Sequence, residues 1–362
     1  MSPLEELAKL LRPAGGGIYT VSTGVAEQRA VQRRIYGAAD DVEIEARWKE
    51  ALARLPSAKA FILGVPSDIG AGFRRGASFG PQALRGALLD RRSSLYRDPS
   101  IVDVGDVFCV PQLLDDEMLS PAQLTASRRA IYGDEDARPV SPLSIASRAL
   151  TLIRTINPNA RPIAIGGDHS IAWPVVASVA DAHPEPLGIL HFDAHTDLLE
   201  TRLGVRYCFA TWAYHANQRI GRSGRLVQVG LRISSKTRAH WESTLGVRQY
   251  WMEEMRRRPL PEIAAEIVDG LRRAGVCGVY ISNDIDGTDP LEAASTGTPE
   301  PNGLYRAEVL HLIQSIGQAF PVWGADLVEV APTLIGHDAA EPDRTLETAA
   351  SYLELMGRYV AP

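Results

Sequence analysis

The sequence predicts an α/β fold in which a parallel sheet carries helices on both faces. Two observations lead to that expectation. From Ala60 onward, short apolar runs alternate with amphipathic segments of helical length. Most of the runs give way to Gly, Asp or Pro, the residues that end strands and start turns. Strands that alternate with helices, rather than following one another, favour parallel pairing, and sites in such sheets lie just beyond the carboxyl ends of the strands.

Taken in order, residues 1–57 read differently from the rest: a glycine stretch at 15–17 precedes a charged, helical-looking segment at 40–55. An N-terminal arm is expected there, and a single catalytic-sized domain over 58–362. Buried strands are expected at 60–65, 162–165, 187–192, 226–231, 278–282 and 322–328, with helices at 141–156, 171–182, 262–274 and 346–359. Residues 105–140, rich in Asp, Pro and Ser, read as a long excursion from the sheet, and 284–304 as a second long loop. No internal repeat or low-complexity tract is present.

Composition narrows the function classes. Of the 362 residues, 45% are hydrophobic and 23% charged, which suits a globular chain. A net charge of -6 and a pI near 5.8 argue against nucleic-acid binding, which needs clustered Lys and Arg. The three cysteines, Cys109, Cys208 and Cys277, form no CxxC pair, so neither a thiolate zinc site nor a redox dithiol is expected. No apolar run approaches the roughly 18 residues of a membrane span, and the opening segment lacks a secretory pattern. A cytoplasmic setting is expected.

The chemistry sits at three strand ends. In HFDAHTD, Asp193, His195 and Asp197 share parity, so an extended chain presents all three on one side. In ISNDIDGTDP, Asp284 and Asp286 share parity directly after an apolar run, and IAIGGDHS supplies His169. Any one of these residues alone reads as a cap or a turn former. Six imidazole and carboxylate groups along one rim read as a metal centre. Mixed N and O donors suit Mn, Co, Ni or Zn, and four aspartates packed together call for two divalent ions to balance them.

These motifs resemble the ureohydrolases, the family of arginase, agmatinase, formiminoglutamase and guanidine hydrolase. The likeness starts at 64–85 (GVPSDIGAGFRRGASFGPQALR) and runs through GGDHS, HFDAHTD, SNDIDGTDP and TGTPEPNGL to DLVEVAP. It implies a three-layer α/β/α fold, a trimer or hexamer, and two divalent metals. One ion would take His169, Asp193, Asp197 and Asp284; the other would take Asp193, His195, Asp284 and Asp286. The resemblance also gives Asp286 the proton transfer to the leaving nitrogen, Glu329 the grip on the guanidinium, and Thr298 a place beside the substrate.

One segment departs from the pattern. Where relatives carry a histidine after HFDAHTD, this chain reads YCFATWAYHAN, with Phe209 at the expected position. His215 is the candidate replacement. The loop 198–206 lacks the Asn-rich pattern that holds an amino-acid head group. Phe209 and Trp212 are expected to narrow the pocket and make it apolar. Together with the long N-terminal arm, this segment resembles the guanidine hydrolase branch, which implies free guanidine as the leading substrate and nickel as the metal, manganese being the alternative. A biguanide hydrolase of metformin type and an agmatinase or guanidinobutyrase are the other enzymatic readings. A non-catalytic subunit paired with an active paralogue is the reading from another class.

Overall fold

Each apolar run is short enough for a strand and hydrophobic on both faces, so each becomes stable only when flanked by neighbours and covered above and below. The computed structural model, which describes residues 1–20, 22, 24–69, 74–133, 137–335 and 340–362, satisfies this with one nine-stranded sheet. The strands are β1 (Leu11–Arg12), β2 (Ala60–Val65), β3 (Ile101–Val107), β4 (Arg161–Gly166), β5 (Leu187–Phe192), β6 (Leu226–Leu231), β7 (Arg248–Trp251), β8 (Gly278–Asp284) and β9 (Val322–Val328). Their spatial order is β1-β3-β2-β4-β9-β8-β5-β6-β7. All neighbours pair in parallel except β1 with β3. The mostly parallel α/β sheet expected from the sequence is thus present.

All six expected strands form, with ends shifted by two residues at most. The expected helices are found at Pro142–Ile156, Ala172–Ala182, Leu260–Arg273 and Asp343–Val360. Three strands were not expected. β3 lies partly in the supposed excursion, and its apolar run is broken by Asp103 and Asp106, which both bind the fully buried Arg85. β7 is a four-residue edge strand, two of whose residues are the polar Arg248 and Gln249.

The third, β1, changes the reading of residues 1–57. This segment is part of the fold: Leu7, Leu10, Leu11, Trp48, Leu52 and Leu55 are buried in the same apolar core as the central strands. Trp48 Nε1 donates to the Val104 carbonyl at 2.9 Å, and Asp106 accepts from the Gly15 and Gly17 amides at 2.8 and 3.2 Å. A Cβ on Gly17 would lie 2.5 Å from that of Asp106, so the chain passes there only as glycine. No helix among the described residues is long and apolar enough to cross a membrane.

Candidate metal centre

The four central strands, β4, β9, β8 and β5, lie side by side, and the rim residues come from their carboxyl ends. His169 follows β4, Glu329 follows β9, Asp284 ends β8 with Asp286 two residues on, and Asp193 to Asp197 follow β5. Local hydrogen bonds turn the chain there. Asp284 accepts from the Asp286 amide at 2.9 Å, and Asp168 accepts from the Ser170 amide at 2.9 Å. Asp197 and Glu329 have φ of 51° and 63°, a conformation that non-glycine residues seldom adopt. Backbone strain of this kind concentrates at functional sites.

The six predicted ligands converge. His169 Nδ1 lies 3.3 Å from Asp193 Oδ2, 3.4 Å from Asp197 Oδ2 and 3.1 Å from Asp284 Oδ2. His195 Nδ1 lies 3.4 Å from Asp193 Oδ1 and 3.1 Å from Asp286 Oδ2. Donors about 2.1 Å from a shared ion sit roughly 3 Å apart, so both sets have the spacing of a coordination shell.

His169 provides the test of fit. Its Nε2 meets Ser282 Oγ at 2.9 Å, and that hydroxyl donates to Asp326 Oδ1 at 2.9 Å. Ser282 can therefore only accept from the imidazole, which places the proton on Nε2 and leaves a lone pair on Nδ1. That buried Nδ1 has no hydrogen-bond partner. A buried lone pair aimed at three carboxylates is costly by itself and suited to a divalent cation.

Charge gives the same answer. Burial, then the charges of Asp286 and Asp193, hold Asp284 well above the usual carboxylate range. Burial and then Asp193 raise Asp197. Burial pushes Asp193 up as well, but the close approach of His169, His191 and His195 outweighs it and holds it well below. Burial lowers the proton affinity of His195, yet Asp286 and Asp193 carry it up to about 12. Without cations the cluster draws in protons instead.

Sequence reasoning missed the support beneath this rim. Asp326, Ser282, His191, Gln228 and Gln249 occupy one register row across β9, β8, β5, β6 and β7. Gln228 Nε2 donates to His191 Nδ1 at 3.0 Å, so His191 carries its proton on Nε2 and donates to Asp193 Oδ2 at 2.8 Å. Gln249 donates in turn to Gln228 Oε1 at 2.9 Å. His191 lies within reach of His169, Asp193 and Asp197, but its bonds make it a brace for Asp193. Its parity was the available signal, since residues 191, 193, 195 and 197 alternate together.

The remaining predicted residues divide. Glu329 lines the cavity and accepts from the His169 amide at 2.9 Å; burial, then Asp284 and Asp168, raise it well above the usual range. Thr298 also lines the cavity, and its hydroxyl donates to Asp286 Oδ2 at 2.9 Å. Phe209 forms part of the wall, with the Arg202 guanidinium 4.9 Å over its ring. Trp212 is not in the wall: fully buried, it stacks on His169 at 4.5 Å and donates to Asp197 Oδ2 at 3.0 Å. His215 is also outside the cavity, its Nε2 bonded to the carbonyls of Glu200 and Arg206, in a separate groove with Trp173 and Tyr207. The helix Trp212–Ile220 turns it away from the rim, so it does not replace the missing histidine.

The cavity measures about 820 Å³, which corrects the expectation of a narrow pocket. Phe209 does not fill it, because it shares the lining with the loop residues Leu199, Arg202, Leu203 and Val205 and with Ile233 and Trp241. Residues 70–73, within the first block of the family likeness, lie outside the described residues.

Comparison with known proteins agrees with this geometry. The model of the arginase family matches residues 58–356. The mitochondrial agmatinase of Gallus gallus is 33% identical over 285 residues, covering 75% of this chain and 74% of that protein. The guanidinobutyrase of Pseudomonas aeruginosa is 29% identical over 290 residues, covering 77% and 81%. Among solved structures, the proclavaminate amidino hydrolase of Streptomyces clavuligerus superimposes with a TM-score of 0.65 at 28% identity, covering 84% of this chain and 92% of that one.

Proposed function

The chain belongs to the arginase family, metal-dependent hydrolases of guanidino C–N bonds, and from that premise we propose that its substrate is a small guanidino compound without a cationic or amino-acid tail, free guanidine first. The observation that carries this reading is the cavity lining. Away from the metal-facing residues and Glu329, the wall presents Leu114, Leu199, Val205, Phe209, Ile233 and Trp241 with Arg202, Ser234 and Ser235, and no carboxylate among the described residues. An ammonium tail such as that of agmatine would lose water there beside the Arg202 cation and without gaining an anionic partner, at a cost of several kcal/mol. Guanidine has no tail to place. The volume of about 820 Å³ favours a second reading, a biguanide whose N-methyl groups lie against the apolar wall.

Two divalent ions, nickel first and manganese as the alternative, would be held by the two ligand sets and supply a water that is deprotonated near neutral pH. The chain's own residues do the rest. Glu329, raised by burial, regains its charge beside a guanidinium and holds it by charge-assisted hydrogen bonds. Asp286 Oδ2, fixed by Thr298, takes the proton of the attacking water and returns it to the leaving nitrogen. Guanidine and water thus become urea and ammonia. The complete ligand set supports a chain that is catalytic in its own right rather than a silent subunit.

The test is urea and ammonia release from protein loaded with nickel or manganese, offered guanidine, metformin, agmatine, arginine and 4-guanidinobutyrate. Guanidine or a methylated relative is expected to be turned over fastest. A preference for agmatine or arginine would overturn the reading of the wall. No turnover at all with two ions bound would return the chain to the role of partner subunit.

A further inference from the structure

One arginine outside the ligand set touches every loop that builds one half of the metal centre. Arg232 directly follows β6. Its amide donates to the Ala194 carbonyl at 3.0 Å, in the loop that carries Asp193 and His195. Its side chain crosses to the loop after β8. Nη2 donates to the Asp286 carbonyl at 2.6 Å, the Glu300 carbonyl at 2.8 Å and, at the limit of reach, Thr288 at 3.5 Å. Nη1 donates to Gly230 at 2.8 Å and Gly287 at 3.3 Å, and Nε donates to Pro301 at 3.1 Å. Among the described residues, none of its hydrogen bonds goes to a carboxylate. A cation hydrogen-bonded to six carbonyls and, among the described residues, to no carboxylate is an unusual use of arginine, whose planar fork of five N–H groups is most often matched to carboxylate or phosphate.

The two loops it joins carry His195 and Asp286, the two ligands found only in the second set. They also meet directly, through the Ala194 amide and Asp286 Oδ1 at 3.1 Å. Loop 298–303 holds Thr298, which bonds Asp286 Oδ2. The two ligands found only in the first set are held from elsewhere: His169 by Ser282, and Asp197 by Trp212. We propose that Arg232 is a positioning residue for the second metal position, holding the Asp286 loop in register with His195, and that the two positions therefore differ in what keeps them formed. This rests on the two-ion reading above.

Lysine keeps the charge but offers its donors from a single point and cannot span these carbonyls. In a manganese titration followed by calorimetry and elemental analysis, Arg232→Lys is expected to bind its first ion within about threefold of wild type, and its second about 10- to 100-fold more weakly, the range for loss of an outer-shell partner. Arg256→Lys is the comparator, because Arg256 also donates to a carbonyl of this loop, that of Gly303, but touches neither Asp286 nor Ala194. It is expected to lower the melting temperature and leave both affinities in place. Hydrogen exchange on the metal-free wild-type chain requires no variant: the Asp289 and Leu304 amides, bonded within this loop, are expected to be protected before any ion is added.

Equal weakening of both ions in Arg232→Lys, unchanged affinities in that variant, or unprotected loop amides in the metal-free wild type would each overturn the role. A wild-type chain that binds fewer than two ions would overturn the two-ion reading itself and this role with it, and that failure is visible before any variant is made.

Discussion

The floor and the wall of the same cavity are built on different principles. On the floor, each of four ligands is held by a second group: His169 by Ser282, Asp193 by His191, Asp197 by Trp212 and Asp286 by Thr298. Most of those groups are themselves anchored in strands at the centre of the sheet or in elements packed on them. The wall, from Leu199 to Phe209 and from Ile233 to Trp241, comes from loops and one short helix, and Leu203 at its tip is 98% exposed. The contrast shows where each property is stored. The chemistry depends on positions fixed to fractions of an ångström, so it is placed where packing is dense. Selectivity depends on which tail is tolerated, and a loop can change that without disturbing the floor.

Substitutions can break this contrast or sharpen it. The largest effect is expected from Asp193→Asn, which removes a carboxylate shared by both ligand sets: turnover should fall by at least about 1000-fold, several kcal/mol of barrier, and metal content should fall with it. Wild-type metal content in that variant would break the account of the floor. Glu329→Gln is expected to reduce kcat/KM by roughly 10- to 100-fold through loss of a charge-assisted contact, with metal content unchanged. Gln228→Leu touches no ligand, yet it frees His191 and should weaken metal binding by about 10-fold, measurable by competition with a chelator. On the wall, Phe209→Ala is expected to change the ratio of kcat/KM between guanidine and metformin by less than about 10-fold, as for other small changes in an apolar pocket. His215→Ala should leave kcat/KM within about twofold of wild type, because its ring faces another groove; a large loss would show that the loop 200–207 transmits more to the floor than its contacts suggest.

The floor was legible in the sequence because its chemistry requires residue types that a strand end seldom collects by chance: HFDAHTD and NDIDGTD announce themselves. The parallel core was legible for a similar reason, since strands buried on both faces leave continuous apolar runs. What stayed hidden is relational. Gln228, Gln249, Ser282 and Asp326 each read as a stray polar residue in or beside an apolar run, and only the register of five strands aligns them into a row. Trp212 and Phe209 looked alike as aromatic substitutes for a lost polar group. The first turn of a helix separates them, sending one beneath His169 and the other into the wall. β3 was obscured by two aspartates that make sense only once Arg85 is known to lie between them. The N-terminal segment was obscured because its leucines are spread over separate short elements, and no single one of them shows a long periodic face.

The central claim is that two ions sit between the strands, sharing Asp193 and Asp284. An anomalous difference map from crystals grown with manganese tests it most directly. Two peaks are predicted, one beside His169 Nδ1 and Asp197, the other beside His195 Nδ1 and Asp286, with Asp193 and Asp284 between them. A single peak, bound by His191 together with His169, Asp193 and Asp197, would contradict it.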